Sequence, residues 1–427
     1  MMTQAFYTGI SGIRSNQYAI DVTSNNIANV STTGYRGSEY EFASLFEGSL
    51  NTSNSLTSST VGIGTRLQAT SLKESQGVLE LTDRSTDLAI LGDGWFGVED
   101  NGEAIYTRDG AFTFDANDDL VSLSGFHVLG TMGGNVSEND ILVTQLDVVS
   151  LGDVDAQEKL RFSKDLEYPP EPTTAVSYTG NLAELNDSQS SQTLDAIRTM
   201  GAGVVDPQNN KNNLKLTFTP TNPQVQPGIQ WDVTATTETL DGTTIYDTQT
   251  GQATFDETGA LVSSSLTTID NNGQNINIDL GSGLNGIVSI ANSAVYATST
   301  ADGTIGGYLE GYEINKNGDV IATFTNGKQS AVGKIGIFHF QNDQGLERLN
   351  GSTFRESSNS GKALIYKDEN GNNITGTDIV NFRLEGANID LTYGITELII
   401  LQRSFDANSK SITTADQMMQ KALSMDA

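Results

Sequence analysis

Apolar residues near the start of the chain recur at alternating steps of four and three: Phe6, Ile10, Ile13, Gln17, Ile20, Ser24 and Ile27. Five of the seven are apolar, and the spacing predicts an amphipathic helix with one seam. Gly9 and Gly12 lie inside it, each costing about 1 kcal/mol relative to alanine. Such a helix is marginal alone and needs a partner for its stripe. The same steps return at the other end: Leu391, Ile395, Leu398, Gln402, Phe405, Ser409, Ile412, Asp416, Met419 and Leu423. Asp390 suits an N-cap, and a helix over 391–425 is about 50 Å long. Two arrangements fit: a terminal helix on its own globular core, or the two chain ends paired as a coiled coil.

Between the ends the period changes to that of strands. Residues 95–130 alternate short apolar runs with turn signals at Asp100-Asn101-Gly102 and Asp109-Gly110. A second such block spans 307–366, with turns at Asn315–Gly318 and Asn326-Gly327. All seven prolines (Pro169, Pro170, Pro172, Pro207, Pro220, Pro223, Pro227) fall in the middle, which reads as an insertion. Residues 48–64, rich in Ser, Thr, Gly and Asn, read as a long compliant loop. The expected fold is mainly β with α-helical termini, and its domains are nested. A terminal unit joins 1–30 with 385–427, and a connector joins 31–70 with 361–384. A discontinuous β domain joins 71–145 with 300–360, and 146–299 is an inserted outer β domain.

Composition narrows the functional classes. The 427 residues include 44 glycines, only 18% are charged, and the formal net charge is −30. No basic patch is available to neutralise nucleic-acid phosphates or an anionic membrane surface. With no cysteine, disulfides, thiolate chemistry and Cys-based zinc sites are excluded. No 7–15-residue apolar core marks a cleavable signal peptide near the start, and no run is long enough to span a membrane. The chain is therefore expected to be cytosolic or exported without a cleavable signal.

The search for chemistry returns structural readings. His127 and His339, the only histidines, sit in alternating strands without partners at ligand spacing. GSGLNG (281–286) matches a dinucleotide fingerprint literally, but a β run follows it where a helix is required. DANDD (115–119) and NKNGD (315–319) look like calcium loops; the first has Leu120 and Phe126 where an EF-hand needs Gly and Glu. Arg108 could bind a substrate carboxylate, but a hairpin turn with an Arg108–Asp109 contact accounts for it. No catalytic, metal or cofactor-binding residue is expected.

One polar passage near the start has no chemical reading. NNIANVSTTGYR (25–36) resembles the N-terminal signature of the bacterial flagellar rod and hook axial family, through Ala28, Asn29, Thr32, Gly34, Tyr35 and Arg36. The far end, 384–423, resembles that family's terminal helix, most tellingly at Gln402-Arg403, Ala407-Asn408-Ser409-Lys410 and Thr414-Ala415-Asp416. The passages GDGWFGV (92–98), YTRDGAFTFD (106–115), YTGNLAEL (178–185), NGDVIATFTNG (317–327) and SGKAL (360–364) agree. Within the family, the 146–299 block fits hook members better than rod members.

The resemblance implies a non-enzymatic subunit of a helical homopolymer, a curved tube that transmits torque. Its terminal helices would form a coiled coil at the channel wall. It also implies contacts with rod, hook cap and hook–filament junction proteins, and extracellular placement through the flagellar type III export apparatus without a cofactor. The passage 25–36 then reads as a connector. Asn25, Asn26 and Asn29 would satisfy backbone groups as the first helix ends, and Gly34 would supply a positive-φ turn. Tyr35 and Arg36 would anchor the next segment, within the chain or on a neighbour. Two alternatives stay open: a distal rod protein, and a β-rich adhesin or polysaccharide-active protein.

Overall fold

The structure is a computed structural model and describes residues 2–45, 48–49, 60–61, 64–182, 197–221, 228–290 and 293–425. Two helices, α1 (Met2–Ala28) and α2 (Leu391–Met425), stand at the ends of a chain otherwise built of strands and turns. The helices are each other's partner and run antiparallel. Gly9 faces Ile412, Gly12 faces Asn408, and Gly394 faces Ile27. The hairpin Ser38–Ser44 with Thr65–Leu72 braces the pair. Ser15 donates to the Thr65 carbonyl at 3.2 Å, and the Tyr40 hydroxyl donates to Glu397 on α2 at 2.7 Å. Most of the predicted loop, 50–59, lies outside the described residues.

The seam follows the expected one only in part. Phe6, Ile13, Ile20 and Ile27 are half-buried, as are Leu398, Phe405, Ile412 and Met419. Ile10, Leu391, Ile395 and Leu423 are exposed, the last at 70%. The positions turned inward are their preceding neighbours or equivalents: Gly9 and Thr23 on α1, Gly394, Leu401 and Ala415 on α2. Small residues bring the two axes close. A Cβ on Gly9 would lie 2.7 Å from Ile412, so an apolarity count cannot locate this face.

Both halves of the chain contribute to a 13-stranded sheet. Its main path runs Glu167–Tyr168, Gly307–Ile314, Asp319–Phe324, Gln329–Ile335, His127–Met132, Trp95–Asp100, Glu103–Thr107, Thr353–Arg355 and Glu347–Arg348. His127–Met132 joins the halves: Gly130 pairs with Ile335, and His127 with Glu99. Phe96, Phe112, Phe324 and Ile335 are fully buried in its core.

The insertion begins later than residue 146. Leu160, Phe162, Leu166 and Tyr168 are buried in this first core, and Glu158–Lys159 pairs with His127–Met132. Burial of those apolar side chains, not the proline cluster, sets the boundary. The chain crosses outward near 169–174 and back near 302–306, where Glu171 and Thr304 bridge. Asp302 accepts the Thr174 and Ala175 amides at 2.9 and 3.1 Å.

The outer unit is a sandwich. A five-stranded antiparallel meander (Arg198–Val205, Lys211–Pro220, Ile229–Thr239, Ile245–Phe255, Leu261–Ser264) faces a six-stranded mixed sheet centred on Ala175–Asn181. Tyr178, Phe218 and Trp231 fill the space between.

One turn occurs five times among the described residues, at Asp115–Asp119, Asp206–Asn210, Asp256–Ala260, Asn315–Asp319 and Asp368–Asn372. In each, the first residue's Oδ1 accepts the amides two and four positions on. The fourth residue takes positive φ: Asp118, Asn209, Gly259, Gly318 and Gly371. Both calcium-like sequences belong to this set, with backbone amides occupying the oxygen that would otherwise be offered to an ion.

Candidate functional site

The polar passage that closes α1 leads into a buried joint between the two ends of the chain. As the helix ends, Asn29 N–H reaches the Asn25 and Asn26 carbonyls, and its side-chain amide donates to the Asn25 carbonyl at 2.8 Å. Thr32 Oγ1 donates to Asn29 Oδ1 at 3.3 Å, so two motif residues tie the turn together. Asn26 clasps the outgoing strand, donating to the Ser38 carbonyl at 2.7 Å and accepting its amide at 3.0 Å. The buried Tyr35 hydroxyl donates to Asn26 Oδ1 and accepts from Asn25 Nδ2, at 3.3 and 3.2 Å. Ala28 is exposed.

Gly34 has φ +65°, and its amide donates to the Glu385 carbonyl at 2.7 Å. A Cβ there would lie 2.3 Å from the Asp109 nitrogen, so the turn both needs left-handed geometry and leaves no room for a side chain. Two residues on, Arg36 enters the interior. Its guanidinium meets Glu385 Oε1 at 3.0 Å, and Arg108 meets Glu385 Oε2 at 3.4 Å. The three side chains are 4%, 4% and 1% exposed.

Glu385 also accepts the Gly77 amide at 3.0 Å. Arg36 donates to the carbonyls of Glu74 and Ser75. Arg348 donates to the Arg36 carbonyl and lies over the Tyr35 ring, 4.9 Å from its centre. Asn388 completes the joint: its Oδ1 accepts the Gly37 amide at 2.7 Å, and its Nδ2 donates to the Lys73 and Ser75 carbonyls.

One carboxylate thus serves two buried cations. Burial pushes the Arg108 guanidinium down to about 10, and neighbouring Arg36 adds to that, while Glu385 opposes it. Burial lowers Arg36 as well, again against Glu385. At about 10, Arg108 remains charged at neutral pH. Arg108 lies 5.4 Å from the Trp95 ring centre, on the wall of a cavity of about 260 Å³ that Asp93, His339 and Asp343 also line. His339 stacks on Tyr366 with ring centres 3.9 Å apart, and burial lowers its pKa. This arrangement locks segments together; among the described residues no group of His, Asp and Glu is placed to hold a metal ion.

The expected Arg108–Asp109 contact is replaced. Arg108 reaches Glu385, while Asp109 Oδ1 accepts the Ala111 amide at 3.1 Å. GSGLNG is the hairpin of Gly281–Ser282 and Asn285–Val288. On α2, Asn408 and Ser409 are half-buried, whereas Gln402, Arg403, Lys410, Thr414 and Asp416 face solvent. Glu385 and Asn388, the centre of the joint, were not singled out by sequence. The only available hint was an acid and an amide just before a long helix.

Three family descriptions match parts of the chain. They are "Flagella basal body rod protein" at 6–36, "Flagellar hook protein FlgE/F/G D1 domain" at 89–156 and "Flagellar basal body rod FlgEFG protein C-terminal" at 381–425. The flagellar hook protein FlgE of Borreliella burgdorferi is 28% identical, over 98% of this chain and 99% of that protein. That of Escherichia coli is 27% identical over 97% and 98% respectively. The fold resembles the crystal structure of Helicobacter pylori flagellar hook protein FlgE2, with TM-score 0.51 at 17% identity, covering 72% of this chain and all of the other.

Proposed function

We propose that this chain is a member of the flagellar hook protein family, and that its parts serve the hook as follows. It is a structural subunit of the flagellar hook, in a family that does not work by enzymatic chemistry. The carrying observation is end-to-end similarity: alignment to hook proteins runs through the insertion as well as both termini. A distal rod protein without that insertion would match only the ends.

The polymer is a curved tube, and the terminal helices are its inner wall. The helix pair keeps large apolar side chains in water, among them Tyr7 at 67%, Ile400 at 58% and Leu423 at 70%. Neighbouring subunits cover them as coiled-coil partners, at about 25 cal/mol per Å² of apolar surface removed from water. The Arg36–Glu385–Arg108 joint clamps the helices to the first β domain, so torque passes to the outer units without loosening the wall. Compliance resides in the crossings near 169–174 and 302–306. The rod, hook cap and junction proteins are the axial partners. The flagellar type III apparatus exports the chain.

Polymerisation of purified protein, followed by sedimentation and electron microscopy, tests this reading. Curved tubes that fail to form after deletion of 400–427 are expected. Straight tubes would favour the rod, and a stable monomer unchanged by the deletion would refute an axial role.

A further inference from the structure

Six threonines form a block on the outward face of the five-stranded sheet. Cross-strand register places Thr199, Thr217, Thr234 and Thr250 in one row, since Thr199 pairs with Thr217, Thr217 with Thr234, and Thr234 with Thr250. The adjacent row holds Gly201, Lys215, Thr236 and Thr248. Neighbours lie about 5 Å apart across strands and about 7 Å apart along them. None of the six hydroxyls has a hydrogen-bond partner among the described residues, unlike Thr254 and Ser263 nearby, which bond each other at 2.7 Å.

Strand preference alone accounts for threonine on a solvated face. Charge distribution separates this face from the rest of the unit. Residues 175–301 contain twelve Asp and Glu against three Lys and Arg. The two threonine rows contain no acid and one cation, Lys215. In the flanking rows, Asp232 accepts from Gln252 at 2.9 Å, and Glu238 lies beside Asn213.

Two copies of so acidic a unit repel at contact, where screening over about 8 Å is incomplete. They approach with least repulsion through the surface that carries no acid and one cation. We propose that the threonine block is the lateral contact through which the outer sandwich docks against a second copy of this chain. Methyl groups supply a modest apolar area, and the free hydroxyls bond across the contact directly or through water. Such a contact can shift with Lys215 the one charge in it to reorient. This inference rests on the polymer reading above.

The chain has no cysteine, so single labels are unambiguous. Thr234→Cys and, as a control on the six-stranded sheet's exposed face, Asn275→Cys are labelled with a maleimide in monomer and in polymer made from purified protein alone. Labelling of Thr234→Cys is expected to slow at least tenfold on polymerisation, with Asn275→Cys changing less than twofold. Equal labelling of Thr234→Cys in both states, or equal protection at both sites, overturns the proposed contact while leaving the polymer intact. Failure of the unsubstituted protein to polymerise overturns the polymer reading, and this contact with it. As a second check, Thr236→Glu is expected to weaken or deform tubes; normal tubes carrying Thr236→Glu would also count against it.

Discussion

Replacing Glu385 by glutamine removes the carboxylate shared by two buried guanidiniums, at nearly unchanged volume. Arg36 and Arg108 stay 4% exposed, without an acid at 3.0 and 3.4 Å. Breaking a buried pair costs about 3–5 kcal/mol, because the remaining charge cannot rehydrate. Here two charges are stranded, and Arg108 is already strained toward its neutral form by burial. We expect the upper part of that range, about 4–5 kcal/mol, against a typical domain stability of about 5–15 kcal/mol. At a urea dependence of about 2 kcal/mol per molar, the midpoint falls by about 2 M.

The two tryptophans make the assay specific. Trp95 lies beside Arg108, and Trp231 is buried in the outer sandwich. Fluorescence of Trp231→Phe and Trp95→Phe backgrounds then reports each unit alone. The Trp95 transition should shift, and the Trp231 transition should not. A shift below about 1 kcal/mol at Trp95 would refute the clamp, as would equal shifts at both. Replacing all three charged residues by apolar ones of similar volume should recover most of the loss, as whole-network replacements do.

Other consequences follow from the same geometry. Gly34→Ala adds left-handed strain and sets a Cβ only 2.3 Å from the Asp109 nitrogen, so a loss of roughly 3 kcal/mol is expected at the Trp95 transition, with proteolysis appearing near residues 30–40. Leu401→Ala should destabilise the helix pair in the monomer by about 2–3 kcal/mol, read by helical circular dichroism. Leu423→Ala, at an exposed position, should leave the monomer unchanged and weaken only the polymer, read by sedimentation. Turn hydrogen bonds hold Asp115, Asp256 and Asp368 below the usual carboxylate range. Their stabilisation is complete above the unfolded value of about 3.9 and is lost as pH falls through the lower folded values. Changing all three to Asn should therefore keep the turns, since Asn315 already fills this position in one of them, and flatten the stability profile below pH 4. An unchanged acid profile in that variant would contradict the assignment.

Local chemistry made much of this protein legible before any contact was known. A 3.6-residue period announced both helices, alternation announced the strands, and Asp/Asn-rich clusters announced turns, because each signal depends on residues a few positions apart. The passage 25–36 reads as a connector only through the family resemblance; what it states locally is the turn preference of its asparagines and of Gly34. Which side of each helix faces inward was decided by packing. Gly9, Gly394 and Ala415 let the axes approach, and small residues carry almost no hydrophobic signal. The start of the insertion was decided by where Leu160, Phe162 and Leu166 find a core, which proline positions do not encode. The joint itself was least visible. Arg36, Arg108 and Glu385 are distant in sequence, and a charged residue looks solvated in any local window. Only the folded chain brings one carboxylate between two guanidiniums and removes the water that would otherwise make their pairing weak.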